Sequence, residues 1–388
     1  MVLLGILQKR KGYKQVIETE KHNPERLLSL DALRGFDMMF LMGMGGMLYE
    51  LSALMCGTHD GWLGLQMKHV AWEGFRHHDT IFPLFIFLAG VSFPFSCAAA
   101  TARGVMRGGL VLKATKRLML LFLLGLVYNG VFALDFGNIR YASVLARIGC
   151  AWYGAALLHL FVKELKIRFL IAAVMLAGYW AICFFMVAPD APAGAGAFSE
   201  EGCFAGYVDR LFLPGRFAGK HLDPEGIISV FPSISLAMSG MFTGELVSSK
   251  RFSGNRKTLM LLASSATMLL VTLLWMPWCP IIKKIWTPTF ITASVAYSLA
   301  LFAVFYWIVD VMKFRLWTFP LRVIGMNAIT VYLLYKIVSI SDTAKFFFGG
   351  VISFFPVAFS PLLLNAAILS TGWLILLFLY RKGIFLRV

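Results

Sequence analysis

Long apolar runs alternate along the chain with short polar connections, and the runs are too continuous for a soluble fold. A helix needs about 20 residues to cross the ~30 Å hydrocarbon layer of a bilayer. Runs of roughly that length recur at 32–55, 80–102, 118–134, 144–162, 169–188, 227–247, 258–276, 289–309, 323–341 and 356–380. The pattern predicts about ten transmembrane helices. A membrane β-barrel would instead show segments in which every second position is polar. Only helices and closed barrels satisfy their backbone groups in lipid, so the expected class is all-α, a polytopic integral membrane protein. Two connections, about 56–79 and 189–226, are long enough to build structure outside the bilayer.

Composition agrees. The 388 residues are 59% hydrophobic and 14% charged, with a mean hydropathy of +0.76, far from the roughly 25% charged content of soluble domains. Charge then orients the predicted helices, because short basic loops resist translocation. With the N-terminus inside, 24 Lys and Arg fall on the cytoplasmic side and 9 on the other, with Arg34, Arg147 and Lys336 within spans. Both termini are therefore expected in the cytoplasm. The net charge of +16 follows from this retention near anionic membrane lipid, and no nucleic-acid reader motif accompanies it. Residues 1–26 have their basic cluster, Lys9-Arg10-Lys11, after a short apolar stretch rather than before a long one. That order is not a secretory signal, and a retained cytoplasmic or interfacial tail is expected, with 27–388 as one transmembrane domain.

Cys56, Cys97, Cys150, Cys183, Cys203 and Cys279 show no metal-ligand spacing, and no histidine recurs with thiol or acidic partners at such spacing, so no metal is expected. Cys56, Cys203 and Cys279 fall on the outer side, where two could pair or all could stay reduced. Polar groups at membrane depth need a partner or a watery cavity. Asp31, Arg34 and Asp37 stand at three-residue spacing in the first run, where Asp31 and Arg34 can pair along one face. Arg147, Glu245, Asn327 and Lys336 lie in later runs. Stapling of helices is the simpler reading of each, and a hydrated interior the reading of the set.

The most informative stretch is Lys68-His69-Val70-Ala71-Trp72-Glu73-Gly74, followed by Asp79 at the mouth of the second run. A neutral imidazole can take a proton near pH 7, and a nearby carboxylate can orient it or hold an ammonium. His59, His77, His78 and His221 share this side of the membrane, so a hydrogen-bonded structural histidine is the bland alternative.

Seven blocks in order extend the reading. Arg26-Leu27-Leu28-Ser29-Leu30-Asp31-Ala32-Leu33-Arg34-Gly35-Phe36 resembles the opening signature of the heparan-α-glucosaminide N-acetyltransferase family. The same family pattern is met by Lys68-His69-x-x-Trp72-x-Gly74 with Asp79 and Phe82-Pro83, then Gly90-Val91-Ser92, then Val144-Leu145-x-Arg147-Ile148-Gly149. It continues through Ala205-Gly206-Tyr207-Val208-Asp209-Arg210-Leu211, Asp223-Pro224-Glu225-Gly226-Ile227 and Gly325-Met326-Asn327-Ala328-Ile329. The resemblance implies a transmembrane acetyltransferase of a bacterial cytoplasmic membrane, and a homodimer. It would move acetyl from cytoplasmic acetyl-CoA to the amine of a terminal glucosamine on the other side. It also implies that His69 is the active-site histidine. A family asparagine of the first core helix falls on Gly45 here, which removes that side chain.

Further site expectations follow. Arg103, Arg107, Lys113, Lys116 and Arg117 are the densest basic cluster for CoA phosphates, although retention of topology alone would place them there. Arg34, Arg147 and Asn327 are candidates to line the donor path or face the thioester oxygen. Trp72, Asp209, Asp223 and Glu225 suit a sugar acceptor, while Asp223-Pro224-Glu225-Gly226 equally suits a turn and helix start. An O-acyltransferase acting on an envelope glycan and a small-molecule transporter remain alternatives.

Overall fold

A computed structural model describes residues 27–386; the tail expected over 1–26 lies outside them. In chain order the helices are α1 Leu28–Met39, α2 Gly45–Cys56, α3 Trp62–Gln66, α4 His77–Ala102, α5 Arg107–Tyr128, α6 Val144–Phe161, α7 Leu165–Phe185, α8 Phe204–Phe212, α9 Val230–Ser248, α10 Gly254–Trp275, α11 Pro288–Tyr306, α12 Phe319–Gly325, α13 Ala328–Ile337, α14 Ile340–Ile352 and α15 Ser360–Lys382. Among the described residues the only β-type pairing is three isolated bridges. The protein is an all-helical, polytopic membrane protein.

Among the described residues eight helical segments are long and apolar enough to cross a bilayer, and the pair Leu316–Gly325 and Ala328–Ile337, bent by 58°, makes a ninth if taken as one span. The run expected over 118–134 is where the structure differs most from the pattern. It falls on α5, which begins earlier, at Arg107, and stops at Tyr128. After its basic first half only Leu118–Tyr128 is uncharged, roughly 16 Å of helix at 1.5 Å per residue. The connection expected over 342–355 is mostly helix as well, since α14 occupies Ile340–Ile352 with Phe346 and Phe347 exposed.

The chain forms two compact units. The first comprises 27–69, 76–78 and 304–386. Its α1 begins with the Leu28 and Ser29 amides donating to the Asp310 carboxylate at 3.3 and 3.2 Å. This supplies acceptors and negative charge where a helix start has unpaired N–H groups. The Asp31–Arg34 pair forms at 3.5 Å. Helices α1 and α12 cross at two glycines: a Cβ on Gly35 would stand 1.8 Å from the Leu321 carbonyl oxygen, and one on Gly325 1.9 Å from that of Asp31. Small residues permit such backbone approach between membrane helices. Helices α1 and α2 together fill the first run, joined by a π-helical turn over Phe40–Met44 in which Gly43 adopts φ 132°, a region closed to other residues.

The second unit comprises 70–75 and 79–303. Its centre is the crossing of α4 and α9, where a Cβ on Gly90 would meet the Ala237 carbonyl oxygen at 2.2 Å and one on Gly240 that of Phe87 at 2.1 Å. Pro83 and Pro94 lie within α4, as membrane helices tolerate when neighbouring groups take up the released carbonyls. A satellite core of Cys203, Ala205, Leu222, Ile282 and Ile285, flanked by Trp72, Phe198 and Ile228, organises the connections of this unit.

Candidate active site

The His69 block is irregular chain between α3 and α4, and each unit holds one part of it. In the first unit, His69 is exposed. Its ring lies 4.4 Å, centroid to centroid, from that of His78, and its carbonyl accepts from Arg76 Nη1 at 3.4 Å. The Gln66 carboxamide oxygen accepts the His77 amide at 2.9 Å, closing the loop onto the start of α4. Lys68 sits over the Tyr49 ring at 4.8 Å and pairs with Asp60 at 3.5 Å. Asn327 stands at the break between α12 and α13, 1% exposed, and neither carboxamide atom has a hydrogen-bond partner among the described residues. The Asp37 Oδ2 atom is buried in α1 with the same lack. Buried polar atoms without partners are rare and call for a water, a ligand or a functional reason.

In the second unit the rest of the block is braced by the connector Cys279–Thr287. The Gly74 amide donates to the Ile281 carbonyl at 2.8 Å, and Glu73 bridges to Ile282. Trp72 donates its indole N–H to the Phe198 carbonyl at 2.8 Å, with Lys284 over its ring at 5.4 Å. Asp79 is 1% exposed. Its Oδ2 accepts the Val70 amide at 3.3 Å and its Oδ1 pairs with Lys283 Nζ at 3.2 Å. Burial pushes the Lys283 ammonium below the usual lysine range, and Asp79 opposes that shift.

The carboxylates expected to suit a sugar acceptor organise their own loop. Arg140 forks onto Asp223 at 2.7 and 2.6 Å and also pairs with Glu225. Asp223 Oδ1 accepts the Glu225 amide at 2.9 Å, and the Gly226 amide closes the turn onto the Asp223 carbonyl. Asp209 in α8, 1% exposed, accepts the Ile227 amide at 2.8 Å and that of Asp223 at 3.4 Å. Burial would raise Asp223, but the Arg140 fork holds it below its ordinary value. Burial pushes Glu225 up against the pull of Arg140. Asp209, buried and partly compensated by the Ile227 and Asp223 amides, is pushed up to about 6.

Arg147, near the start of α6, belongs to the same network. Its Nη1 donates to the Ser229 carbonyl at 2.9 Å and the Ser233 hydroxyl at 3.1 Å. Its Nη2 reaches the Gly226 carbonyl at 2.8 Å and the Ser229 hydroxyl at 2.6 Å. Its guanidinium stacks 4.8 Å from the Trp286 ring, whose N–H donates to the Pro224 carbonyl at 2.8 Å. Trp286 has φ 52°, a conformation that costs a bulky residue about 1–3 kcal/mol and that these contacts hold in place.

Of the expected phosphate cluster, Arg103, Arg107, Lys113 and Lys116 are exposed, whereas Arg117 is half-buried and lies 4.1 Å from the Trp152 ring. On α6, α7 and α9, Glu245 takes a fork from Arg168 at 2.5 and 3.1 Å and meets His159 at 2.9 Å. All six cysteines are free thiols, Cys203 and Cys279 buried and Cys56 exposed. Among the described residues no group of His, Cys, Asp or Glu is arranged to hold a metal ion.

No family model matches the chain. It is 25% identical to heparan-alpha-glucosaminide N-acetyltransferase of Homo sapiens over 81% of this chain and 53% of the human protein. It is 23% identical to the Mus musculus protein of that name over 82% of this chain and 55% of the mouse protein. The chain is thus similar, at low identity, to two proteins named heparan-alpha-glucosaminide N-acetyltransferase. It spans about half the length of the curated relatives it matches. Sequence reading missed Arg140, Lys283, Trp286, Arg168 and His159. Arg140 and Lys283 carried a signal: the positive-inside count puts them among nine basic residues on the side expected to be poor in them.

Proposed function

We propose that this protein is a transmembrane N-acetyltransferase of a bacterial cytoplasmic membrane. It takes acetyl-CoA from the cytoplasm and acetylates the amine of a terminal glucosamine on the opposite side. The observation that carries the reading is the match to two proteins named as N-acetyltransferases over four-fifths of the chain. The exposed His69 ring on a braced, irregular loop supports it. In this reading the amine attacks the acyl carbon as its proton passes to the His69 imidazole. A C–N bond forms, the C–S bond breaks, and the CoA thiolate leaves and is protonated. Asp79 holds the backbone that carries the base. Asn327, whose amide is unpartnered, is the better candidate to face the thioester oxygen. Arg147 has its Nη donors committed to the Gly226–Ser233 turn and holds the loop. Arg103, Arg107, Lys113 and Lys116 meet the CoA phosphates, and Arg34 and Trp72 complete the donor and acceptor paths.

The test is release of free CoA thiol by detergent-solubilised protein, given acetyl-CoA and a panel of amino sugars. Glucosamine-dependent release of a base-stable product is expected, with a fall of roughly 10²- to 10⁴-fold in His69→Ala. A base-labile product would assign an O-acyltransferase, and no acceptor-dependent release would sink the enzyme reading in favour of a carrier.

A further inference from the structure

A base at His69 can act only if its loop is held in place. Val70–Gly74 contains no helix, and its backbone positions rest on partners from elsewhere. Several of those partners lie on one segment. Ile281 takes the Gly74 amide, Ile282 bridges Glu73, and Lys284 covers Trp72. Lys283 reaches the carboxylate that receives the Val70 amide. That segment is itself pinned: Tyr179 donates to the Ile285 carbonyl at 2.7 Å, Trp286 donates to the Pro224 carbonyl, and Ile282 and Ile285 are 1% and 0% exposed.

Asp79 is the pivot of this brace. Its two oxygens do different things, one holding the amide of the residue that follows His69 and the other meeting Lys283. A buried carboxylate without a counter-charge protonates or seeks water, and either would release the Val70 amide. Lys283 Nζ also lies 5.7 Å from the centroid of the Phe82 ring. Its side chain is 16% exposed, too enclosed for a solubilising surface charge.

We propose that Lys283 is a positioning residue for the acetyl-transfer reaction: by neutralising Asp79 it fixes the Val70 amide and so the aim of His69. This rests on the assignment of His69 as the base. Lys283→Met should lower kcat by roughly 10- to 100-fold, as lost supporting partners do, with KM for acetyl-CoA little changed. Lys283→Arg should recover most of the loss. The double variant Asp79→Asn/Lys283→Met removes both buried charges together, and its defect should be no larger than that of Lys283→Met. Amide hydrogen exchange in overlapping peptides across 66–76 gives a readout independent of turnover. Lys283→Met should exchange at least tenfold faster at Val70, and the double variant shows the same loss if the single one fails to fold. Unchanged exchange in this segment, or additive defects in the double variant, would overturn the proposal. Full turnover in His69→Ala, with exchange at Val70 still raised by Lys283→Met, would instead remove the base assignment and leave the brace.

Discussion

Single side chains decide the chemistry on the long loop. Asp209 is pushed up to about 6 by burial, well above its usual unfolded value near 4. Between those two values the folded state therefore binds more protons than the unfolded one. The sign follows directly: the contribution to stability is present below about pH 4 and is lost as pH rises through about 6, a change of roughly 2–3 kcal/mol. Thermal unfolding in detergent between pH 4 and 6 should show this slope, and Asp209→Asn should flatten it. Arg140 has the opposite effect on its partner Asp223, holding it ionised. Arg140→Met leaves Asp223 and Glu225 in a buried site without their cation, and should cost about 3–5 kcal/mol at pH 7. Acidification towards pH 5 should recover part of that loss, because protonation removes the unpaired charge. A variant equally destabilised at both pH values would rule this account out. Arg147→Lys cannot reproduce the fork onto Gly226, Ser229 and Ser233, since an ammonium lacks the planar donor pair. A lowered unfolding midpoint equivalent to roughly 2–4 kcal/mol is expected.

At the level of elements, the apolar pattern found the helices and missed their breaks. Run 323–341 reads as one span, yet it divides at Met326–Asn327, where Asn327 takes φ −119° and ψ 25°. Hydropathy sees no difference between a straight and a bent apolar segment. Just before the break, α12 approaches α1 closely at Gly35 and Gly325, a long-range contact that no local pattern encodes. Gly325→Val would drive a side chain into the Asp31 carbonyl. Aggregation on size-exclusion chromatography is expected in place of a single peak, and a monodisperse variant of wild-type stability would show that the crossing can relax. Helix α5 shows the converse: its basic half reads as loop, although Lys and Arg are good helix formers and the helix begins at Arg107.

For the whole molecule, orientation rests on the imbalance of 24 to 9 in basic residues. Cys56 tests it, being exposed at the end of α2. A membrane-impermeant maleimide applied to intact cells or spheroplasts should label Cys56, while buried Cys203 and Cys279 stay protected. Labelling of Cys56 only after permeabilisation would reverse the proposed sidedness, and with it the side on which His69 meets its acceptor.

The sequence by itself determined the class of the protein, an all-α membrane chain, because apolar length and charge asymmetry act locally and additively along the chain. It also marked His69 and its block, since the residue types there carry a family pattern. Which partners Asp79, Asp209, Asp223, Glu225 and Arg147 meet was decided only by tertiary structure. Each meets a group distant in sequence: Asp79 is 204 residues from Lys283 and Asp223 is 83 from Arg140. A buried charge is defined by what neutralises it, and that neighbour is chosen by folding rather than by spacing along the chain.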